Sequence, residues 1–289
     1  MERAETAPIH VLVTGTTGRI GRALRAVWGD KVAETLPILW QSRQMGVSGD
    51  LYWDIGQNPP PVLPEGALVL HLAGKTGGTP QQLAENAVLT AAVCAAARAG
   101  RAGHVFVMSS AAVYAPGPLP LAETTPPGPV NPYGVSKLAA EAAAAAALSG
   151  SATGLTILRL ANLAGADALL GNAKPGRTVT LDPVAGQAGG PERSYIGPRL
   201  LAQVLAALLL RAAQGGGLPA VLNVAQQPPV AMADLLTASG QDWCFGPPRP
   251  GTVARVVLDT DRLAALTDLP QTSPAALIAD LSSVPGWPR

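Results

Sequence analysis

The chain is short of charge, cysteine, histidine and long apolar runs, and each shortage closes off a class of function. Charged residues make up 13% of its 289 residues, about half the ~25% of an average soluble protein. Its 48% hydrophobic content nonetheless places it far from the composition of a disordered chain. Lys and Arg total 20 against 19 Asp and Glu, a net charge of +1, so nucleic acid and anionic membranes are not expected partners. Cys94 and Cys244 lie far apart and the three histidines do not cluster, which argues against a disulfide framework and a metal site. Both cysteines are expected to be packing residues. The longest apolar stretch, Leu200 to Leu210, is interrupted by Gln203 and bounded by Arg199 and Arg211, too short to span a bilayer. Residues 1–10 lack the apolar core of a secretory signal. The expectation that remains is a folded cytoplasmic protein acting on a small molecule.

What is present has a rhythm. Apolar runs at Ile9 to Thr14, Pro37 to Trp40, Ala67 to Leu72, His104 to Ser109 and Leu155 to Leu160 alternate with helix-compatible stretches, the pattern of βαβ units and a parallel sheet covered on both faces. The helical stretches include Gly21 to Trp28, Pro80 to Ala99 and Tyr133 to Leu148. Alanine dominates the last two. This follows either from its helix propensity and a composition bias or from close helix packing against a second copy of the chain, as a homodimer. After Leu160 glycine and proline break the pattern into shorter pieces, such as Leu200 to Ala213, Ala220 to Val224 and Met232 to Ser239. The reading is a main domain over 1–165 and a smaller, loop-rich substrate region over 166–289, with 200–224 able to return to the first sheet.

Val11 to Val13 leads into Thr14, Gly15, Thr16, Thr17, Gly18, Arg19, Ile20 and Gly21. Glycines between a strand and a helix permit a tight turn and let backbone N–H groups approach a pyrophosphate at the positive end of the helix. In a dinucleotide fold a carboxylate at the end of the second strand holds the adenosine ribose, whereas a basic residue there tolerates a 2′-phosphate. Here that strand ends in Trp40, Gln41, Ser42 and Arg43. Glu34 precedes the apolar run and belongs to its wrong end. Arg43, with Arg19, therefore favours NADP over NAD, and Asp54 is a candidate partner for the adenine amino group.

Tyr133 and Lys137 are four apart and share one face of a helix. A phenol near pKa ~10 is a poor base at neutral pH, and a neighbouring ammonium favours its ionised form. Upstream, the strand from His104 ends in Ser109 and Ser110, which puts hydroxyls at the carboxyl end of a strand, where open α/β sheets bind ligands.

Taken in order, these motifs resemble the extended short-chain dehydrogenase/reductase superfamily, its NAD(P)-dependent epimerase/dehydratase branch. Thr14 to Gly21 is similar to the TGxxGxxG loop, so Gly15, Thr17, Gly18, Arg19, Ile20 and Gly21 are expected at the cofactor. Asp54 and Ile55 resemble the adenine-contacting pair. His71, Leu72, Ala73 and Gly74 resemble the segment beside the cofactor phosphates, and Asn86 matches a helical Asn. Ser110, rather than Ser109, occupies the catalytic Ser/Thr position, and Tyr133 and Lys137 match the YxxxK pair. Arg159 to Gly165 is similar to RxxNxxG, whose Asn, here Asn162, faces substrate. Arg193 to Ile196 resembles RDYI, a stretch that can place an arginine on a nucleotide-sugar diphosphate, and Arg249 to Gly251 resembles the later RPGD; Arg193 and Arg249 are both expected at the substrate. The departures fall on the substrate side. Ser194 replaces Asp, Gly197 and Leu200 stand where His and a second Asp are frequent, Thr252 replaces the last Asp, and the loop Lys75 to Gln82 is shorter than usual.

The resemblance implies an α/β fold with a Rossmann-type doubly wound parallel sheet. It also implies NAD(P)-dependent chemistry at a carbinol or carbonyl carbon, in which Ser110 polarises the substrate oxygen, Tyr133 exchanges its proton, and Lys137 anchors the nicotinamide ribose and keeps the phenol acidic. Dehydratases of the branch carry an Asp-Glu pair after the catalytic residue, and Ala111 and Ala112 stand there instead. An epimerase of a nucleotide sugar and an NADPH-dependent reductase of a small carbonyl compound remain. A noncatalytic dinucleotide sensor is the reading from a different class.

Overall fold

Seven strands form the central sheet of the computed structural model, which describes residues 9–44, 50–174 and 176–287. They are Val11–Thr14 (β1), Ile38–Ser42 (β2), Asp50–Tyr52 (β3), Leu68–His71 (β4), His104–Ser110 (β5), Gly154–Leu160 (β6) and Val221–Val224 (β7). Their order across the sheet is β7-β6-β5-β4-β1-β2-β3. The pairs β1 with β2, β1 with β4, β2 with β3 and β4 with β5 are all parallel. Every residue of β1 and β4 is buried, as expected of strands covered on both faces. The chain leaves β1 toward β2 and β3, then returns to the other side of β1 as β4. That reversal is the switch point at which open α/β sheets bind ligands beyond the strand ends.

The helices follow local signals. Arg19–Thr35 (α1) carries a break at Gly29, whose φ of 45° and ψ of −146° are not helical, so the regular helix expected to end at Trp28 does end there. Pro80–Ala99 (α2) starts with a capping box in which Thr79 and Gln82 satisfy one another's backbone N–H groups. Pro132–Leu148 (α3) begins one residue earlier than expected, and Pro198–Ala213 (α4) begins two earlier than its apolar stretch. The strand β3 was not anticipated. Its three residues, Asp-Leu-Tyr, include two polar side chains and offer no apolar run to read. It is held instead by Arg25 of α1, whose guanidinium donates to both Asp50 oxygens at 2.6 and 2.7 Å and stacks 4.6 Å from the Trp40 ring.

Two compact units can be described. The first comprises Met1–Met108, Ala139–Ile157 and Ala206–Ala220, and the second Ser109–Leu138, Leu158–Leu205 and Val221–Arg289. Among the described residues no helix is long and apolar enough to cross a membrane. Cys94 is buried, which pushes its thiol up to about 12. Cys244, also expected to be a packing residue, is exposed because it sits on the short strand Trp243–Phe245, where two of the three residues face outward.

The start of α4 shows how a distant residue completes a local element. Asp280, on the helix Pro274–Ser282, accepts from the Arg199 N–H at 2.8 Å and the Leu200 N–H at 3.0 Å, so a carboxylate from eighty positions downstream caps α4. Replacing Asp280 by Ala is expected to lower stability by about 0.5–2 kcal/mol, the cost of a lost helix cap. Equilibrium urea unfolding checks it, and an unchanged midpoint with an unchanged slope would reject the cap.

Candidate functional site

The glycine loop after β1 lies against the segment that follows β4. Gly15 has φ +70°, and a Cβ there would stand 2.5 Å from the Ala73 nitrogen; only glycine permits both the conformation and the approach. A Cβ on Gly21 would collide with the Thr16 Cα, so this glycine lets the first turn of α1 pack on the loop. Thr14 ties the two strand ends together. Its hydroxyl lies 2.8 Å from His71 Nδ1 and accepts from the Leu72 and Ala73 N–H groups at 3.3 and 3.4 Å. The other His71 nitrogen is 3.2 Å from the Thr90 hydroxyl on α2.

A cavity of about 550 Å³ opens beside this loop. Of the cofactor residues expected from the sequence, Gly15, Thr17, Gly18, Arg43, Asp54 and Ile55 line it, as do Leu72, Ala73 and Gly74. Arg43 is exposed. Arg19, Ile20 and Gly21 form the first turn of α1 and are not among the lining residues. Asn86 is not at the cavity wall either; it is buried and clamps the main chain of Lys75, accepting from its N–H at 2.7 Å and donating to its carbonyl at 3.0 Å. Glu34 lies in α1, before β2.

The cavity also uses residues that the sequence reading left out, notably Gln41, Ser42, Lys75 and Glu85. Gln41 accepts from the Gly15 N–H at 2.9 Å and donates to the Trp53 carbonyl at 2.7 Å. It thus braces the loop from the end of β2, which runs two residues beyond the expected Trp40. The available signal was position, since Gln41 and Ser42 occupy the strand end where a ribose-binding carboxylate was sought. A size of 550 Å³ falls within the ~300–1,000 Å³ of ordinary ligand sites, and the cradle closed to any Cβ at Gly15 suits a dinucleotide phosphate. Among the described residues no group of three metal-ligating side chains occurs.

In the second unit the structure brings the Ser110 hydroxyl close enough to Tyr133 to influence its phenol. Ser110 ends β5 and accepts from the Ala112 N–H at 3.2 Å, which starts the turn Ala111–Val113. Asn131 accepts from the Gly134 N–H at 2.8 Å and so organises the start of α3. A Cβ on Gly134 would collide with the Ala112 carbonyl oxygen, so this glycine lets the first turn of α3 seat against the turn that follows Ser110. Lys137 lies one turn further along α3 and is buried. Burial raises the Tyr133 phenol above its ordinary value, and the Ser110 hydroxyl offsets part of that rise. The expectation of an acidified phenol is therefore corrected: removal from water costs the phenolate more than the hydroxyl partner returns.

The residues expected on the substrate side separate into two groups. Arg193 and Arg249 line one cavity of about 400 Å³ together with Asp182. Arg193 is already engaged with main-chain carbonyls, donating to Val253 at 2.8 Å and Glu192 at 2.8 Å, while Arg249 pairs with Asp182 at 3.5 Å. Asn162 lines neither cavity described. It lies near Tyr195, whose hydroxyl donates to half-buried Asp167 at 3.1 Å. Burial raises Asp167 above the usual carboxylate range, and burial followed by that nearby carboxylate raises Tyr195 well above an ordinary phenol. The departures from the family motif are structural. Ser194 is buried and accepts from the Leu258 N–H at 2.9 Å, and Gly197 leaves room for Asp280, whose carboxyl group a Cβ there would strike.

Gly134→Ala is expected to cost about 1–3 kcal/mol, because the clash is with backbone rather than with a flexible side chain. It should also separate the Ser110 and Tyr133 hydroxyls. Thermal unfolding together with a crystal structure of the variant checks both, and a variant of parental stability would show that the two turns are not pressed together.

The sequence profile of the NAD dependent epimerase/dehydratase family matches residues 62–182. No curated protein sequence matches the chain. Solved structures share its fold over nearly its whole length. UDP-glucose 4-epimerase from Brucella ovis, solved with NAD, is 20% identical with a TM-score of 0.77 over 93% of this chain and 96% of its own. UDP-N-acetylglucosamine 4-epimerase from Bacillus cereus is 19% identical with a TM-score of 0.71 over 95% and 99%. The NAD dependent NDP-hexosamine 5,6-dehydratase TunA is 20% identical with a TM-score of 0.72 over 94% and 95%. Residues 62–182 thus carry the sequence pattern of the NAD dependent epimerase/dehydratase family, within a chain whose Rossmann-type fold these solved structures share.

Proposed function

We propose that the protein is an NAD(P)-dependent enzyme that works at one carbinol or carbonyl carbon of a nucleotide sugar, as an epimerase or oxidoreductase. The observation that carries this reading is the seating of the first turn of α3 against the turn after Ser110, with no room for a side chain at Gly134, which places Tyr133 beside Ser110 with Lys137 one turn along the same helix. The family match over 62–182 and the nucleotide-sugar epimerases that share the fold support it. Gly15, Thr17, Gly18, Leu72, Ala73 and Gly74 would hold the dinucleotide, and a bound nicotinamide supplies hydride acceptance and return.

The chain's own part is acid–base work. A phenol is protonated at neutral pH, so Tyr133 is poised to give its proton to a substrate carbonyl oxygen. Ser110 holds that oxygen through its hydroxyl. In the opposite direction the Tyr133 phenolate takes the proton from a carbinol. Ala111 and Ala112 form the turn after Ser110 and offer no carboxylate for eliminating water, which favours epimerisation or net redox over dehydration. Arg193 and Arg249, sharing a cavity, suit the anionic portion of a nucleotide sugar.

Tyr133→Phe is expected to lower turnover by about 10²–10⁴-fold, the usual worth of a positioned acid–base group, with dinucleotide affinity within a few-fold of the parent. Assays that follow isomer exchange of UDP-sugars by NMR and cofactor absorbance with carbonyl compounds check this; full turnover by the variant rejects Tyr133 as the acid–base group.

A second reading, an NADPH-dependent reductase, is favoured by one observation. The end of β2 presents Gln41, Ser42 and exposed Arg43 to the cavity and no carboxylate, which suits a 2′-phosphate. Arg43→Ala should weaken NADPH by about 10-fold or more, the scale of a charge-assisted hydrogen bond, and leave NADH unchanged. Parallel fluorescence titrations measure it, and equal effects on both dinucleotides would remove Arg43 from the 2′-phosphate.

A further inference from the structure

The cavity beside the glycine loop has two cations and two anions in its wall: Arg43, Lys75, Asp54 and Glu85. Lys75 and Glu85 are joined at 2.7 Å. Both are well exposed, with side-chain exposures of 39% and 49%, so water screens the pair and its rupture changes an equilibrium by no more than about fivefold. The main chain of Lys75 is much more firmly placed. Asn86 grips its N–H and its carbonyl at once, at 2.7 and 3.0 Å, and Asn86 is the neighbour of Glu85 on α2. One helix turn therefore holds both ends of this lysine, the backbone through a buried amide and the ammonium through a surface carboxylate. Lys75 also follows closely on Ala73, whose nitrogen is the atom that a Cβ on Gly15 would strike first.

We propose that Lys75 is a dinucleotide pyrophosphate ligand held in reserve by Glu85, and that binding exchanges the carboxylate for the phosphate as the partner of its ammonium. This rests on the dinucleotide reading of the cavity. The chemistry distinguishes the two cations. Arg43 stands at the end of β2, the adenosine-ribose side, whereas Lys75 stands beyond β4 beside the loop contact, where the phosphates common to both dinucleotides belong. A carboxylate and a phosphate oxygen offer the ammonium the same kind of charge-assisted bond, and the phosphate adds the partial positive charge of the α1 N-terminus as a second attraction. Glu85 pre-positions the lysine and at the same time competes with the ligand, so it lowers affinity while keeping the ammonium at the cavity.

Fluorescence titration with NADH and with NADPH tests this on purified protein freed of any bound nucleotide, comparing the parent with Lys75→Met, Glu85→Gln and the double variant. Both side chains are exposed, so the substitutions leave the core untouched, and thermal unfolding verifies it. Lys75→Met is expected to weaken both dinucleotides equally, by about 10-fold. Glu85→Gln is expected to tighten both by about 2- to 5-fold, and that gain should vanish in the double variant because it acts through Lys75. Unchanged affinity in Lys75→Met overturns the proposal and leaves the cavity's assignment standing. A loss confined to NADPH overturns it as well, since Lys75 would then read the 2′-phosphate. A Glu85→Gln gain that persists without Lys75 shows simple repulsion of phosphate and overturns the exchange. If the parent binds neither dinucleotide, the cavity's assignment and the proposal fail together.

Discussion

The approach of the Gly15 backbone to Leu72 and Ala73 is the contact on which the first unit is organised. It exists because β1 and β4 are neighbours in the sheet, paired from Val11 with Leu68 to Thr14 with His71, although β2 and β3 intervene in the chain. A loop that must cross a neighbouring strand end at this distance has no room for a side chain. The polar groups displaced by such close packing still need partners, and they find them in Thr14, His71 and Gln41. The cavity beyond the strand ends is thus a consequence of sheet order, and the glycine loop is the form the chain takes to cross it.

A similar constraint shapes the second unit. Gly134 lets α3 begin directly against the Ala111–Val113 turn, and this seating places Tyr133 where the Ser110 hydroxyl influences its phenol. The same closeness removes the phenol from water. Burial therefore sets the direction of its pKa, which lies above that of an ordinary phenol. Proximity and proton affinity are two results of one packing arrangement.

The positions at which the sequence departs from the motifs it resembles show what takes their place. Ser194 supplies a buried hydroxyl to the Leu258 N–H, where a carboxylate would need a charged partner. Gly197 and Leu200 stand where His and Asp are frequent in the family, and Asp280 from the C-terminal helix enters the space and caps α4. Arg193 spends its donors on the carbonyls of Glu192 and Val253. It thereby organises the segment that carries Arg249 as well as lining the cavity beside it.

The apolar runs, the capped α2, the glycine loop and the Tyr133–Lys137 spacing were determined by the sequence alone, because each depends on residues within a turn or two of one another. Strand β3 was not legible: its residues carry no apolar pattern and its anchor, Arg25, lies twenty-five positions away. Gln41 as the brace of Gly15, Asn86 as the clamp on Lys75 and Asp280 as the cap of α4 were decided only by tertiary structure. Each is a polar side chain whose partner is a backbone group distant in the chain. Local patterning says where a polar residue begins, whereas the order of strands and the seating of helices decide which buried N–H or carbonyl it must satisfy.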